Sequence, residues 1–158
     1  MTARRYRPCV GIVLHNGRGD VFTGQRAEMD APAWQMPQGG IDPGESAQEA
    51  AFRELWEETS VGRDAAVMEA MTTEPLRYDF PADMLGKRFK EYVGQEQHWA
   101  LMRSTDETAI NINTEHPEFS DWAWFTPAEV TAWIVPFKRP IYESVFAEFA
   151  PHLQRLPR

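Results

Sequence analysis

Three acids in one short stretch, Glu54, Glu57 and Glu58, stand at i, i+3 and i+4. On an α-helix with about 3.6 residues per turn, that spacing puts their side chains on one face. Like charges so placed destabilise an isolated helix by roughly 0.2 to 0.5 kcal/mol per pair. The crowding therefore calls for open solvent or a bound cation, and hard divalent ions favour carboxylate oxygens. A solvated acidic face and a divalent-metal site for phosphate chemistry are equally good readings of the three acids alone. The balance shifts because a glycine-rich entry, Gly39-Gly40, and a fourth acid, Glu45, precede them at fixed distances.

The helix that must carry these acids is well marked. Ser46 followed three residues later by Glu49 is a capping box, and Pro43-Gly44 supplies a turn just before it. Phe52, Leu55 and Trp56 point away from the acids. Arg53 lies four residues from both Glu49 and Glu57, so it can orient acids on either side.

Gly39, Glu45, Arg53-Glu54-Leu55-Trp56-Glu57-Glu58 and Thr59-Ser60-Val61 together resemble the Nudix box, whose pattern is G-x5-E-x7-R-E-U-x-E-E-x-G-U with U aliphatic or aromatic. One position departs: Ser60 stands where the pattern has glycine just past the helix. A glycine suits a left-handed cap, and another residue pays about 1 to 2 kcal/mol to enter that region. The resemblance extends to Tyr6-Arg7-Pro8-Cys9-Val10-Gly11-Ile12, Trp34-Gln35-Met36-Pro37-Gln38-Gly39-Gly40 and Pro136-Phe137-Lys138-Arg139. These segments look like the RNA pyrophosphohydrolase and asymmetric diadenosine polyphosphate hydrolase branch. Tyr78-Asp79-Phe80-Pro81, Gly94-Gln95 and His98-Trp99 are similar to the plant-type dinucleoside polyphosphate hydrolases within that branch.

The resemblance implies an α+β fold, an α/β/α sandwich with a mixed β-sheet between helices, and a metal site built by the box loop and helix. It implies Glu54, Glu57 and Glu58 as metal ligands, the Gly39 carbonyl as another, and Glu118 as a loop acid approaching the metals. Which acid acts as general base stays open. Glu45 and Arg53 are implied as structural support. Mg2+ is the expected ion, with Mn2+ as the alternative, because Mg2+ accepts few carboxylates directly and keeps several waters. Arg7, Arg26, Arg88 and Lys138 are candidate phosphate clamps, since guanidinium groups match phosphate oxygens in bidentate geometry and Lys offers a point charge. Tyr78 or Phe137 would stack a nucleobase. The expected substrate is a nucleoside polyphosphate, first a 5′-triphosphorylated RNA end and second a diadenosine tetra- or pentaphosphate. A non-catalytic nucleotide or RNA binder of the same fold is the alternative of another class.

Composition agrees with one enzyme domain over residues 1–158. A chain of 158 residues can bury about 70% of its unfolded surface. Its apolar runs are too short to cross a bilayer, and its basic start leads into too brief an apolar run for a secretory signal, so a cytoplasmic location is the default. The net charge of −8 argues against general polyanion binding, so a phosphate substrate must be held locally. Cationic clusters at Arg4, Arg5 and Arg7, at Lys87, Arg88 and Lys90, and at Lys138 and Arg139 supply that charge if the fold gathers them. Cys9, the only cysteine, excludes an internal disulfide and reads as a packed thiol. The four histidines have no ligand-like spacing and read as surface or packing residues.

Periodicity predicts strands at Pro8–Leu14, Val21–Gly24, Trp34–Met36, Val67–Thr73, Leu76–Phe80, His98–Met102 and Trp122–Phe125. Thr126-Pro127-Ala128-Glu129 is a second capping box, opening a helix to about Ile134. Ile141, Val145 and Phe149 at i, i+4 and i+8 predict a C-terminal helix from Pro140 that lies on the sheet. Protein partners are not legible.

Overall fold

The computed structural model describes residues 5–82 and 92–154. Strand β1 (Tyr6–His15) is the axis of the sheet, pairing in parallel with β7 (Gly94–Ser104) along its whole length. The remaining ladders are antiparallel. On one side of β1 lie β2 (Val21–Arg26), β3 (Trp34–Gln35) and β8 (Phe119–Phe125), and β4 (Gln38–Gly40) pairs with β1 directly. Strands β5 (Ala66–Met71) and β6 (Leu76–Asp79) pair with β7. Among the described residues the sheet is therefore mixed and eight-stranded.

Alternation along β1 sends its side chains to two cores. Val10, Ile12 and Leu14 join Phe22, Ala100 and Met102 under Ala50, Ala51 and Leu55 of helix α1 (Ala47–Thr59). Val13 joins Val21, Trp99 and Leu101 on the other face, under Val130 of α2 (Pro127–Trp133) and Ile141, Val145 and Phe149 of α3 (Arg139–Gln154). Full burial of each such aliphatic side chain is worth about 1.5 to 3 kcal/mol. This is the expected α/β/α sandwich.

Both capping boxes form. Ser46 Oγ accepts from Glu49 N–H at 3.0 Å while Glu49 Oε1 accepts from Ser46 N–H at 3.0 Å, and Thr126 and Glu129 reproduce the arrangement. Two strands and one side chain are among the differences from the sequence expectation. The glycine-rich entry begins as a strand, because Gln38, Gly39 and Gly40 complete a ladder with Gly11, Val10 and Cys9. Strand β7 begins at Gly94, since polar Gln95 and Gln97 are buried by hydrogen bonding rather than by apolar character. Trp56 turns from the acids but not into the core: Leu55 is buried, whereas Trp56 is 58% exposed.

Candidate functional site

The box helix α1 is anchored to β4 by one residue. Arg53 Nε and Nη2 donate to the two oxygens of Glu45 at 2.8 and 2.9 Å, Nη2 also donates to the Gly40 carbonyl at 2.8 Å, and Nη1 reaches Glu54 Oε1 at 2.9 Å. One guanidinium thus ties the entry turn, the strand and the helix together. Glu45 is held at a pKa of about 2, chiefly by its hydrogen bond with Arg53 and then by the Asp42 N–H. The sequence pairing of Arg53 with Glu49 is not realised, because Glu49 serves as the helix cap; Glu57 does reach Arg53 Nη1, at 3.3 Å.

Above this anchor, Glu54 and Glu58 approach each other closely enough to share a hydrogen bond. Both carboxyls are raised, first by burial; the Glu58 carboxyl is raised further by Glu54 and Glu118 and is offset by the Gln38 N–H. Glu58 Oε2 is buried and has no hydrogen-bond partner among the described residues. Gly39 makes room for the pair: a Cβ there would lie 2.1 Å from Glu54 Cδ. Glu57 faces Arg53 and solvent, with its side chain 52% exposed. Among the described residues no three acidic, His or Cys side chains form a ready ligand cluster.

Glu118 sits on the loop entering β8, and its carbonyl accepts from Ala27 N–H at 2.9 Å. That bond places it beside Arg26, which lies across from Phe119 in the β2–β8 ladder and bonds Glu28. Lys138, in the single turn Pro136–Lys138 before α3, joins the same group. Its pKa falls to about 8, first through burial and then through Arg26, while Cys9 and Glu118 oppose the shift. Arg7 closes the far side, its guanidinium lying 2.6 Å from where a Gly40 Cβ would stand. The Tyr78 and Phe137 rings meet at 5.6 Å and 48° beside it, and burial raises the Tyr78 hydroxyl pKa. The fold thus gathers candidates from seven segments of the chain: β1, β2, β4, α1, β6, the loop entering β8 and the turn Pro136–Lys138. Arg88 lies outside the described residues. Arg139 is not part of the group, since it donates to the Thr131 and Ala132 carbonyls.

A model of the NUDIX domain matches residues 5–145. The chain belongs to the Nudix family. It is similar to the RNA pyrophosphohydrolase of Roseobacter denitrificans, 52% identical over 94% of each chain, and to that of Dinoroseobacter shibae, 50% identical over 97% of each. In fold it is similar to the Caenorhabditis elegans Ap4A hydrolase, with a TM-score of 0.68 at 17% identity over 92% of this chain and 98% of that one. The Escherichia coli dihydroneopterin triphosphate pyrophosphohydrolase gives 0.67 at 18% over 89% and 97%. The chain is accordingly a Nudix hydrolase, of a family that works with divalent metal ions. Among the described residues no helix is long and apolar enough to cross a membrane.

Sequence reasoning passed over Cys9 and Gln38 as site neighbours. Cys9 is buried near Arg7, Glu54 and Lys138, and burial lifts its thiol to about 11, so it packs as a neutral thiol. The register with Gly40 that brings it there is not encoded by any motif.

Proposed function

We propose that this Nudix hydrolase releases pyrophosphate from 5′-triphosphorylated RNA, using Mg2+, with Mn2+ able to substitute. The observation that carries the substrate is the identity, over nearly the whole chain, with relatives named RNA pyrophosphohydrolase. The geometry supports a polyphosphate: the buried acids interact with Glu118, Glu118 and Arg26 lie near Lys138, and the Arg7 guanidinium lies beside Gly40, so acids and cations adjoin.

The acids suit hard cations on two grounds. Glu58 Oε2 is buried and unpartnered among the described residues, and repulsion within the Glu54–Glu58–Glu118 group is relieved by positive charge. Glu54, Glu57, Glu58, Glu118 and the Gly39 carbonyl would hold the ions. Mg2+ is the proposed ion because it takes few carboxylates directly and keeps several waters of its own. When bound, the ions supply Lewis acidity to the phosphate oxygens and make water a better nucleophile.

The chain's own groups do the rest. Arg7, Arg26 and Lys138 neutralise and orient the phosphates, and Arg53 with Glu45 holds helix and loop in register so that Glu54 does not drift. The Tyr78–Phe137 pair offers a nucleobase a ring surface, where stacking contributes about 1 to 3 kcal/mol. The attacking water passes its proton to a site carboxylate, with Glu58 Oε2 and exposed Glu118 as the two acceptors within the group.

The test compares kcat/KM for a 5′-triphosphorylated RNA oligonucleotide and for diadenosine tetraphosphate, each with Mg2+. A larger constant for RNA with pyrophosphate as product supports the reading, and a larger constant for the dinucleotide overturns it. Retention of full turnover by Glu58→Gln would instead overturn the assignment of the acids.

A further inference from the structure

Gln95, Gln97 and Trp99 alternate along β7 and share the face that carries Arg7 and Cys9 in the neighbouring strand. Gln38 of β4 stands on that face as well, opposite Gly11. Gly11 lets the Trp99 ring lie against the backbone, since a Cβ there would fall 2.5 Å from the indole. The three side chains form a hydrogen-bonded chain with Gln38, and its direction is not arbitrary.

An indole N–H can only donate. Trp99 Nε1 donates to Gln97 Oε1 at 2.9 Å, so the Gln97 amide must present oxygen to the indole and its two N–H groups elsewhere. Those two go to Gln38 Oε1 at 3.0 Å and Gln95 Oε1 at 2.8 Å. Trp99 is 1% and Gln97 2% exposed, so no bulk water competes to turn the chain around. Gln38 is therefore held by its carbonyl end, with its N–H2 group turned away from Gln97. The Gln38 backbone N–H meanwhile faces Glu58, and the guanidinium of Arg7 lies beside Gly40, two residues on. The side chain shares the face of Arg7, while Gly39 beside it turns toward Glu54 on the other face.

We propose that Trp99, acting through Gln97, is a positioning residue that fixes Gln38 as a neutral N–H donor to a phosphate oxygen of the substrate. This rests on the reading of the site as one for a nucleoside polyphosphate. Phosphate oxygens accept and never donate, so only this polarity of the amide chain is useful beside Arg7. The reversed polarity would aim a carbonyl dipole at the anion.

Trp99→Phe keeps a ring against Tyr142 and removes the N–H that sets the direction. It should raise KM for triphosphorylated RNA about 5-fold, the size of one neutral hydrogen bond, with kcat within about 2-fold. Gln38→Leu, at a half-buried position, should do the same, and the double variant should be no worse than either single. Additive KM effects, or a fall in kcat alone, overturn the positioning role. A second readout needs no turnover: titrating inorganic tripolyphosphate should shift the Gln38 carboxamide N–H resonances of the unaltered protein and not those of Trp99→Phe. Equal shifts in both, or none in the unaltered protein, overturn the proposal. An unaltered protein inert toward triphosphorylated RNA but showing the tripolyphosphate shift would overturn the RNA reading and leave the donor role supported.

Discussion

Replacing Gly39 by alanine adds one methyl group at the point where the structure has least room for it. The new Cβ would lie 2.1 Å from Glu54 Cδ and 2.3 Å from each carboxylate oxygen, whereas ordinary contact begins near 3.4 Å. The carboxylate must retreat by about 1.3 Å, and it cannot do so in place because Arg53 Nη1 holds Oε1 at 2.9 Å. A misplacement of about 1 Å in a reacting constellation costs on the order of 100-fold in rate, equivalent to about 2.7 kcal/mol of barrier. Loss of one partly exposed ion-pair contact removes up to about 1 kcal/mol of stability, which in a domain of this size lowers Tm by about 2 to 4 °C. Gly39→Ala should therefore remain folded, lose about 100-fold in kcat, and need more Mg2+ for half-maximal rate. The assay is pyrophosphate release under saturating RNA across a Mg2+ series, with a thermal melt on the same preparation. A variant that keeps more than a third of wild-type kcat while folded would refute the claim that Gly39 exists to admit Glu54.

Three further outcomes follow from the same geometry. Because Arg53 holds Glu45 near pKa 2, below its ordinary 4.5, the pair's stabilisation is present above pH 4.5 and is lost as pH falls toward 2; Glu45→Gln should lower the denaturant midpoint at pH 7 and make the fall between pH 4.5 and 2 shallower. The lowered Lys138 pKa of about 8 leaves that side chain charged below pH 8 only, so kcat/KM for a triphosphate should fall as pH rises through 8, and Lys138→Arg should move that limb upward; an unchanged limb would remove Lys138 from phosphate binding. Ser60→Ala should destabilise by about 1 kcal/mol through loss of its hydroxyl bond, while Ser60→Gly should be nearly neutral because relief of backbone strain offsets the same loss, and thermal melts decide between them.

The parts of this protein legible in its sequence are those set by local chemistry. The capping boxes at Ser46 and Thr126, the α1 acids and the i, i+4 apolar stripe of α3 are each determined by residues within a turn or two of one another. Strand β4 was not legible, because a Gln-Gly-Gly run has no strand propensity and pairs only where β1 offers a free ladder. The polar start of β7 escaped for a related reason: Gln95 and Gln97 are buried by partners, Gln38 and Trp99, that no periodicity connects to them. Trp56, whose aromatic character suggests a core residue, lies at an angle on α1 that the sheet does not cover.

Ser60 shows how a departure from a motif becomes readable only in three dimensions. Its backbone takes the left-handed conformation that the pattern's glycine would take, with φ of 65°, and its N–H closes the helix on the Trp56 carbonyl at 2.9 Å. The side chain that makes this conformation costly also offsets the cost, since Ser60 Oγ donates to the Asn111 carbonyl at 2.8 Å. Asn111 N–H in turn donates to the Thr59 carbonyl at 2.8 Å. These two bonds cross-link the end of the acid-bearing helix to the segment that continues toward Glu118. A glycine would leave the helix end equally well capped but held to that segment by one bond instead of two. The substitution thus exchanges backbone ease for a tether between the two parts of the chain that supply the site's acids.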